Sequence, residues 1–267
     1  MSWVRGKLRY RGGQKCISHM NTNCLFFLTQ GWISTALKNT LPLSQNNFVH
    51  YKKLREVKGR YHKIFYLPAG RVSGADYLEI TRSIISDFQF ISDSLLEADG
   101  QLIMFSSYGL SLLPSSEFSP YHFGKLEQEK FLTNHLDANK YLILRLPNIF
   151  GRQQPLGFLL SDLFSRKKTN HPISIYEKDK TTFLSFLWIE DLILCIEAII
   201  SMRRFSGVQY LGPSEFYSVS QIKNIFLEEH EPEPSTRLEF SEKFLRNLLK
   251  GSHMNVAAYL INQVWGK

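Results

Sequence analysis

Short apolar runs alternate with amphipathic stretches along most of the chain. "NCLFFLTQG" is an apolar run that stops at a glycine, and "WISTALKNTL" after it predicts a helix. "NFVHY" predicts a second strand, followed by the basic "KKLR", and "KIFYLPAG" predicts a third ending in Pro-Ala-Gly. "ADYLEITRSIISDFQFISDSLLEAD" holds helical spacing for several turns and stops at Gly100. "QLIMFSS" has the continuous apolar character of a buried strand, "KLEQEKFLTNHL" is helical, and "YLILRLPNIFG" is a strand running into a loop. "TTFLSFLWIEDLILCIEAII" predicts strand then helix, "VQYLG" a further strand, and "SVSQIKNIFLEEH" a helix capped by Ser218 or Ser220.

Strands alternating with helices predict an α/β fold, a doubly wound, mostly parallel sheet covered on both faces. Ligands of such sheets bind beyond the carboxyl ends of the strands. Four consecutive apolar runs end there in small or polar residues: Gly31, Ala69 with Gly70, Ser106 with Ser107, and Pro147 with Asn148.

Composition supports a packed core, with 43% hydrophobic and 13% aromatic residues among 267. No run approaches the roughly 20 apolar residues that span a bilayer. The net charge of +8 is concentrated in residues 1–55, which hold nine Lys or Arg and no acid, while the rest is close to neutral. The densest basic run, "RGKLRYRGGQK", predicts a tail over residues 1–19 and not a folded nucleic-acid surface. An arm touching phosphates or anionic lipid is the other reading of that run. "CLFFLTQGWISTAL" is interrupted by Gln30 and lies too far from the start for a secretion signal. Cys16, Cys24 and Cys195 are odd in number and share no ligand spacing, which fits a reducing cytoplasm. The His residues are scattered without a paired spacing, so no metal site is expected.

"SPYHFGK" places Tyr121 and Lys125 four apart, on one face of a helix. A free phenol titrates near 10 and is a poor base at neutral pH; a nearby ammonium favours the phenolate. Lowering it by about 3 pKa units takes about 4 kcal/mol of differential stabilisation, within reach of a close charge in a water-poor pocket. Arg145 is open to a structural ion pair or a ligand contact, and Asn148 to a turn or a substrate contact. Asp191 is expected to cap the helix that follows it.

In order along the chain, "IMFSS", "SPYHFGKLEQEKFL", "LRLPNIFGRQQP", "FLSFLWIEDL" and "GVQYLGPSEFYSVSQI" resemble segments of the extended short-chain dehydrogenase/reductase superfamily, the branch of nucleotide-sugar epimerases, dehydratases and ketoreductases. The resemblance runs from about residue 62 to 226. It implies a Rossmann-like domain over 20–150, completed by about 183–211, with a small substrate-binding lobe from 151–182 and 212–267. It implies Ser107, Tyr121 and Lys125 as catalytic residues, Ser107 being favoured over Ser106, with Ser107 and Asn148 on the substrate. It implies NAD or NADP as cofactor, contacted by Gly31, Trp32, Ile33, Ala69, Gly70, Tyr121, Lys125 and Pro147. A nucleotide-sugar substrate, a homodimer paired through helices, and a place in surface-polysaccharide building complete the implied picture.

Three departures stand against it. The glycine-rich loop of the family is reduced to "LTQGWISTAL", with Gln30 at the first glycine, Ser34 at the third, and two residues fewer. Only about 20 residues separate Leu41 from Tyr61, too few for the strand-helix-strand expected there. No acid follows "NFVHY" to meet the adenosine ribose; Lys52, Lys53 and Arg55 stand there instead, favouring a 2′-phosphate or forming a basic surface loop. Where the family carries an inward Asn, Asp87 or Ser86 aligns. Two classes of function follow: an NAD(P)-dependent 4-ketoreductase or C4 epimerase, or a non-catalytic relative that keeps the fold and binds. The family's dehydratases carry an Asp-Glu pair after the active-site residue, where this chain has "YGL" after Ser107.

Overall fold

Six parallel strands form the centre of the computed structural model, which describes residues 23–41, 43–44, 47–67, 77–151, 153–169, 183–201, 206–211, 215–222 and 236–237. The chain runs β1 (Cys24–Leu28), α1 (Trp32–Thr40), β2 (Phe48–His50), a 3-10 turn (Tyr51–Glu56), β3 (Tyr61–Leu67), α2 (Tyr77–Phe90), a π turn (Ile91–Leu95) and β4 (Leu96–Ser107). It continues through α3 (Gly109–Leu112), α4 (Pro120–His135), β5 (Tyr141–Leu146), β6 (Asn148–Phe150), α5 (Leu159–Lys168), β7 (Phe183–Leu184), β8 (Phe186–Trp188), α6 (Ile189–Ser201), β9 (Gly207–Tyr210), β10 (Glu215–Ser218) and β11 (Thr236–Arg237). The main sheet has the order β2-β1-β3-β4-β5-β9. Small parallel and antiparallel pairings, β6 with β8 and β10 with β7 and β11, lie outside it.

Continuous burial of β1 and β3 to β5 explains their unbroken apolar runs, because helices cover both faces. Alternation divides their side chains between two cores. Phe26, Phe65, Ile103, Phe105, Leu142 and Leu144 pack under α1 and α6. Phe27, Ile64, Tyr66, Leu102, Met104 and Ile143 pack under α2 and α4. Phe26 and Phe65 stack at 4.3 Å between ring centroids, locking β1 to β3.

The α/β, Rossmann-like sheet expected from the sequence is therefore present, with two adjustments. The helical pattern of residues 75–99 gives way at Leu95, and the strand expected at Gln101 already starts at Leu96. An irregular register between Tyr61 and Lys63 absorbs the early start. Gly100 sits there, and a Cβ on it would fall 2.8 Å from the Tyr61 carbonyl oxygen, so only glycine allows the strands to close. The second adjustment confirms the shortage of residues after α1. One short strand and a 3-10 turn fill that interval, leaving β2 as the sheet edge. The usual doubly wound order has a further strand outside that position.

The strand order reverses between β1 and β3, and the carboxyl ends of β1, β4 and β5 open on the same side. Among the described residues no helix is long and apolar enough to cross a membrane. The basic run of residues 1–19 lies outside the described residues, as do Ala69 and Gly70.

Candidate active site

Alternation along β4 sends Ser106 and Ser107 to opposite sides. Ser106 is buried, and its hydroxyl donates to Glu129 Oε1 at 2.5 Å. Ser107 is half-buried at the strand end, where its Oγ accepts the Gly109 N–H at 3.1 Å. The same Ser107 side chain neighbours the Tyr121 phenol and lowers it.

Tyr121 comes from the first turn of α4. Pro120 opens that helix, and Ser119 with His122 forms a reciprocal cap: the Ser119 N–H donates to His122 Nδ1 at 3.2 Å. The cap is what aims Tyr121 at the end of β4. His122 has its ring against Gly109; a Cβ on Gly109 would lie 2.3 Å from His122 Nε2. Tyr121 keeps 37% of its surface exposed. Burial of its surroundings pushes the phenol up from its ordinary value, and Ser107 pulls it back. The lowering expected from Lys125 is not met: burial raises the phenol, and Ser107, not Lys125, is the group that opposes it.

Lys125 is 6% exposed. Its Nζ donates to the Phe105 carbonyl at 2.9 Å and to Gln128 Oε1 at 3.4 Å, and lies 6.0 Å from the Tyr121 ring centroid. Described residues take two of its three donors. Burial pushes its ammonium down to about 8, with Glu129 acting in the opposite direction. Close packing of α4 on α2 makes this burial possible. A Cβ on Gly124 would fall 2.2 Å from the Tyr77 ring, so glycine lets the two helices meet. Tyr77 in turn stands edge-on to Tyr121 at 5.6 Å.

Arg145, at the end of β5, forms an ion pair. Its Nη2 donates to Glu129 Oε2 at 2.6 Å and its Nε to Glu129 Oε1 at 3.0 Å, while Nη1 reaches the Tyr210 hydroxyl at 2.9 Å. Sequence reasoning did not single out Glu129. The signal was present as an acid four residues after Lys125, on the face of α4 that carries its buried residues. Pro147 is buried, and Asn148 opens β6 with its N–H on the Ser185 carbonyl at 3.0 Å. Asp191 is not the cap of α6 but lies in its first turn, where burial and then Glu190 push its carboxyl up to about 6. Asp87 is held by Tyr66 and Arg55, and Ser86 also accepts from Arg55.

Gly31, Trp32 and Ile33 stand at the start of α1, directly after β1. Gly31 is the N-cap and has no side chain to cap the helix, which leaves room for a phosphate at the start of α1. Its φ of −85° requires no glycine; the residue is useful there for its lack of side chain. Gln30 is exposed beside it. These residues fit a dinucleotide pyrophosphate. Of the basic residues after β2, Arg55 is committed to α2 and lies 4.2 Å over the Phe90 ring, while Lys52 and Lys53 are exposed.

Two other features lie at the opposite end of the sheet. A cleft of about 650 Å³ is lined by Arg60, Leu96, Glu97, His135 and Lys140, and shares no residue with the site. His62, Glu97 and Asp99 gather their ligating atoms within 4.8 Å of one another.

No family model matches the sequence, and no curated protein does. Solved structures match along nearly the whole chain. One is a novel NAD-dependent NDP-hexosamine 5,6-dehydratase, TunA, involved in tunicamycin biosynthesis (TM-score 0.66, 15% identity, 90% of this chain and 95% of that one). Another is a UDP-N-acetylglucosamine 4-epimerase from Methanobrevibacter ruminantium, in complex with UDP-N-acetylmuramic acid (0.63, 14%, 91% and 96%). A third is the Bordetella bronchiseptica enzyme WbmG in complex with NAD and UDP (0.61, 16%, 84% and 79%). This chain shares their fold. The Rossmann-like reading of the sequence is therefore met at the level of architecture, with β2 at the sheet edge among the described residues.

Proposed function

We propose that the chain is an NAD(P)-dependent oxidoreductase or epimerase acting on a nucleotide-activated sugar, of the 4-ketoreductase or C4-epimerase type. The observation that carries this reading is the convergence of the Ser107 hydroxyl, the Tyr121 phenol and the Lys125 ammonium at the carboxyl end of β4. The shared fold with structures named as nucleotide-sugar enzymes supports it.

In this reading a sugar oxygen sits between Ser107 and Tyr121. Tyr121 gives or takes its proton, and Lys125 steadies the phenolate that results. Because burial raises the phenol, Tyr121 holds its proton at neutral pH, which suits donation to a ketone oxygen during reduction. The nicotinamide, when bound, supplies or accepts the hydride. Gly31, Trp32 and Ile33 would hold the pyrophosphate, Ala69, Gly70 and Pro147 would line the cofactor, and Lys125 has a donor left for its ribose. Asn148 would meet the substrate. Tyr108 and Gly109 follow Ser107 where a dehydratase would need its acids, so water elimination is not part of the proposal. Residues 151–182 and 212–267 would form the substrate lobe, a homodimer would pair α2 and α4, and the cytoplasm suits the buried thiols of Cys24 and Cys195.

Titration of the purified protein with NADH and NADPH, followed by nicotinamide fluorescence, tests the proposal. Micromolar binding is expected, then turnover of a nucleotide keto-sugar in a panel, with Tyr121→Phe binding cofactor but not turning over. Absence of binding up to millimolar cofactor, in folded and monodisperse protein, would overturn it. The non-catalytic reading would then stand, favoured by Gln30 in the shortened loop.

A further inference from the structure

The Lys125 ammonium is buried, yet its hydrogen-bond partners, the Phe105 carbonyl and Gln128, are neutral. Neutral partners alone hold a buried ammonium weakly. Glu129 lies one turn further along α4, on the same face and 4% exposed. Its carboxylate is fixed from three directions, by Ser106 at 2.5 Å and by Arg145 Nε and Nη2 at 3.0 and 2.6 Å. Arg145 Nη1 also donates to Ser111 and to the Tyr210 hydroxyl, and those two hydroxyls bond each other at 2.8 Å. Ser111 belongs to α3, the turn that begins two residues after Ser107.

We propose that Glu129 is a positioning residue: its carboxylate keeps Lys125 in the ammonium form beside Tyr121 and ties that charge, through Arg145, to the turn that follows Ser107. The inference rests on Tyr121 and Lys125 being the acid/base pair described above. The groups around Lys125 support it. From α4 come Tyr121, Gln128 and Glu129; from β4, the Phe105 carbonyl and Ser106; from β5, Arg145; from α2, Tyr77, edge-on to Tyr121. Among these Glu129 is the anion and Arg145 an opposing cation. Glu129 is also the group that raises the Lys125 ammonium against the effect of burial. Removing its charge leaves Lys125 with neutral partners and Arg145 without its carboxylate, and the lysine is the one able to give up a proton.

The test reads Lys125 directly, in the full chain without substrate or cofactor. Lysine labelled with ¹³C at Cε is followed by NMR across pH, with Lys125→Arg assigning the signal. The proton affinity of Lys125 is expected to fall about tenfold in Glu129→Gln, a change of about 1.4 kcal/mol, and to recover in part in Glu129→Asp. Where Glu129→Gln does not fold, Arg145→Gln gives the opposite sign, a rise in Lys125 affinity, because the opposing cation is gone. An unchanged Lys125 titration in whichever of these variants folds overturns the proposal. In the enzyme, Glu129→Gln is expected to shift the pH profile of kcat with little change in KM. Failure of the functional reading is separate: it shows as absent cofactor binding in the unmodified protein, with the NMR result still standing.

Discussion

Ser106 and Ser107 are neighbours on β4 that belong to different networks: Ser106 donates to the Glu129 carboxylate at 2.5 Å, and Ser107 accepts the Gly109 N–H at 3.1 Å and neighbours the Tyr121 phenol. Strand alternation makes the division unavoidable, since one hydroxyl must enter the layer between sheet and α4 and the other must face the strand end. Adjacent serines of identical chemistry thus face different neighbours, and in the proposed function one has a structural role and the other a chemical one.

Substituting each by Ala is expected to show this. Ser107→Ala should lower kcat about 10² to 10³-fold, in line with loss of one donor at a reacting oxygen, with little change in stability. Ser106→Ala should cost about 1–3 kcal/mol, because a buried carboxylate loses a donor. Urea melts and steady-state kinetics on the two variants check both, and equal effects on both readouts would contradict the division.

Gly124 sets the distance between α4 and α2. Its missing Cβ would meet the Tyr77 ring at 2.2 Å and Thr81 Oγ1 at 2.6 Å. Gly124→Ala is expected to destabilise the fold by about 1–3 kcal/mol through overpacking, despite alanine's better helix propensity. A thermal melt no lower than that of the parent protein would show that the helices yield instead.

Stability should rise with pH over a defined window. Burial lowers the ammonium groups of Lys125 and Lys63 to about 8. The unfolded chain keeps those protons to about pH 10.4, so above pH 8 it binds more protons than the folded chain and stability climbs. Tyr66, Tyr77, Tyr108 and Tyr121 are all raised by burial. Above about pH 10 the unfolded chain loses phenol protons first, and stability falls. Urea midpoints taken across this range should peak near pH 10; a steady decline from pH 8 would exclude the lysine contribution.

Gln30 occupies the position where the shortened loop meets the start of α1. Gln30→Gly is expected to tighten binding of NADH or NADPH about tenfold, or about 1.4 kcal/mol, by opening the approach to the start of α1. Parallel fluorescence titrations check it, and weaker binding would mean that Gln30 itself contacts the dinucleotide.

Much of this protein was legible in its residues because local order is written locally. The period of apolar positions separated strands from helices, continuous apolar runs announced a sheet covered on both faces, and the spacing of Tyr121 and Lys125 placed them on one helical face. The distance from Leu41 to Tyr61 already excluded a full strand-helix-strand. Other features depend on what lies across the sheet, and no local pattern encodes them. The pairing of Glu129 with Arg145 joins α4 to β5, and the contact of Gly124 with Tyr77 joins α4 to α2. The end of α2 was misplaced because Leu95 and Leu96 fit either period until β3 supplied a partner. The direction of the Tyr121 shift was also a tertiary decision. Spacing puts a cation nearby, but only packing decides how much water the phenol keeps, and here burial raises it while Ser107 opposes the rise.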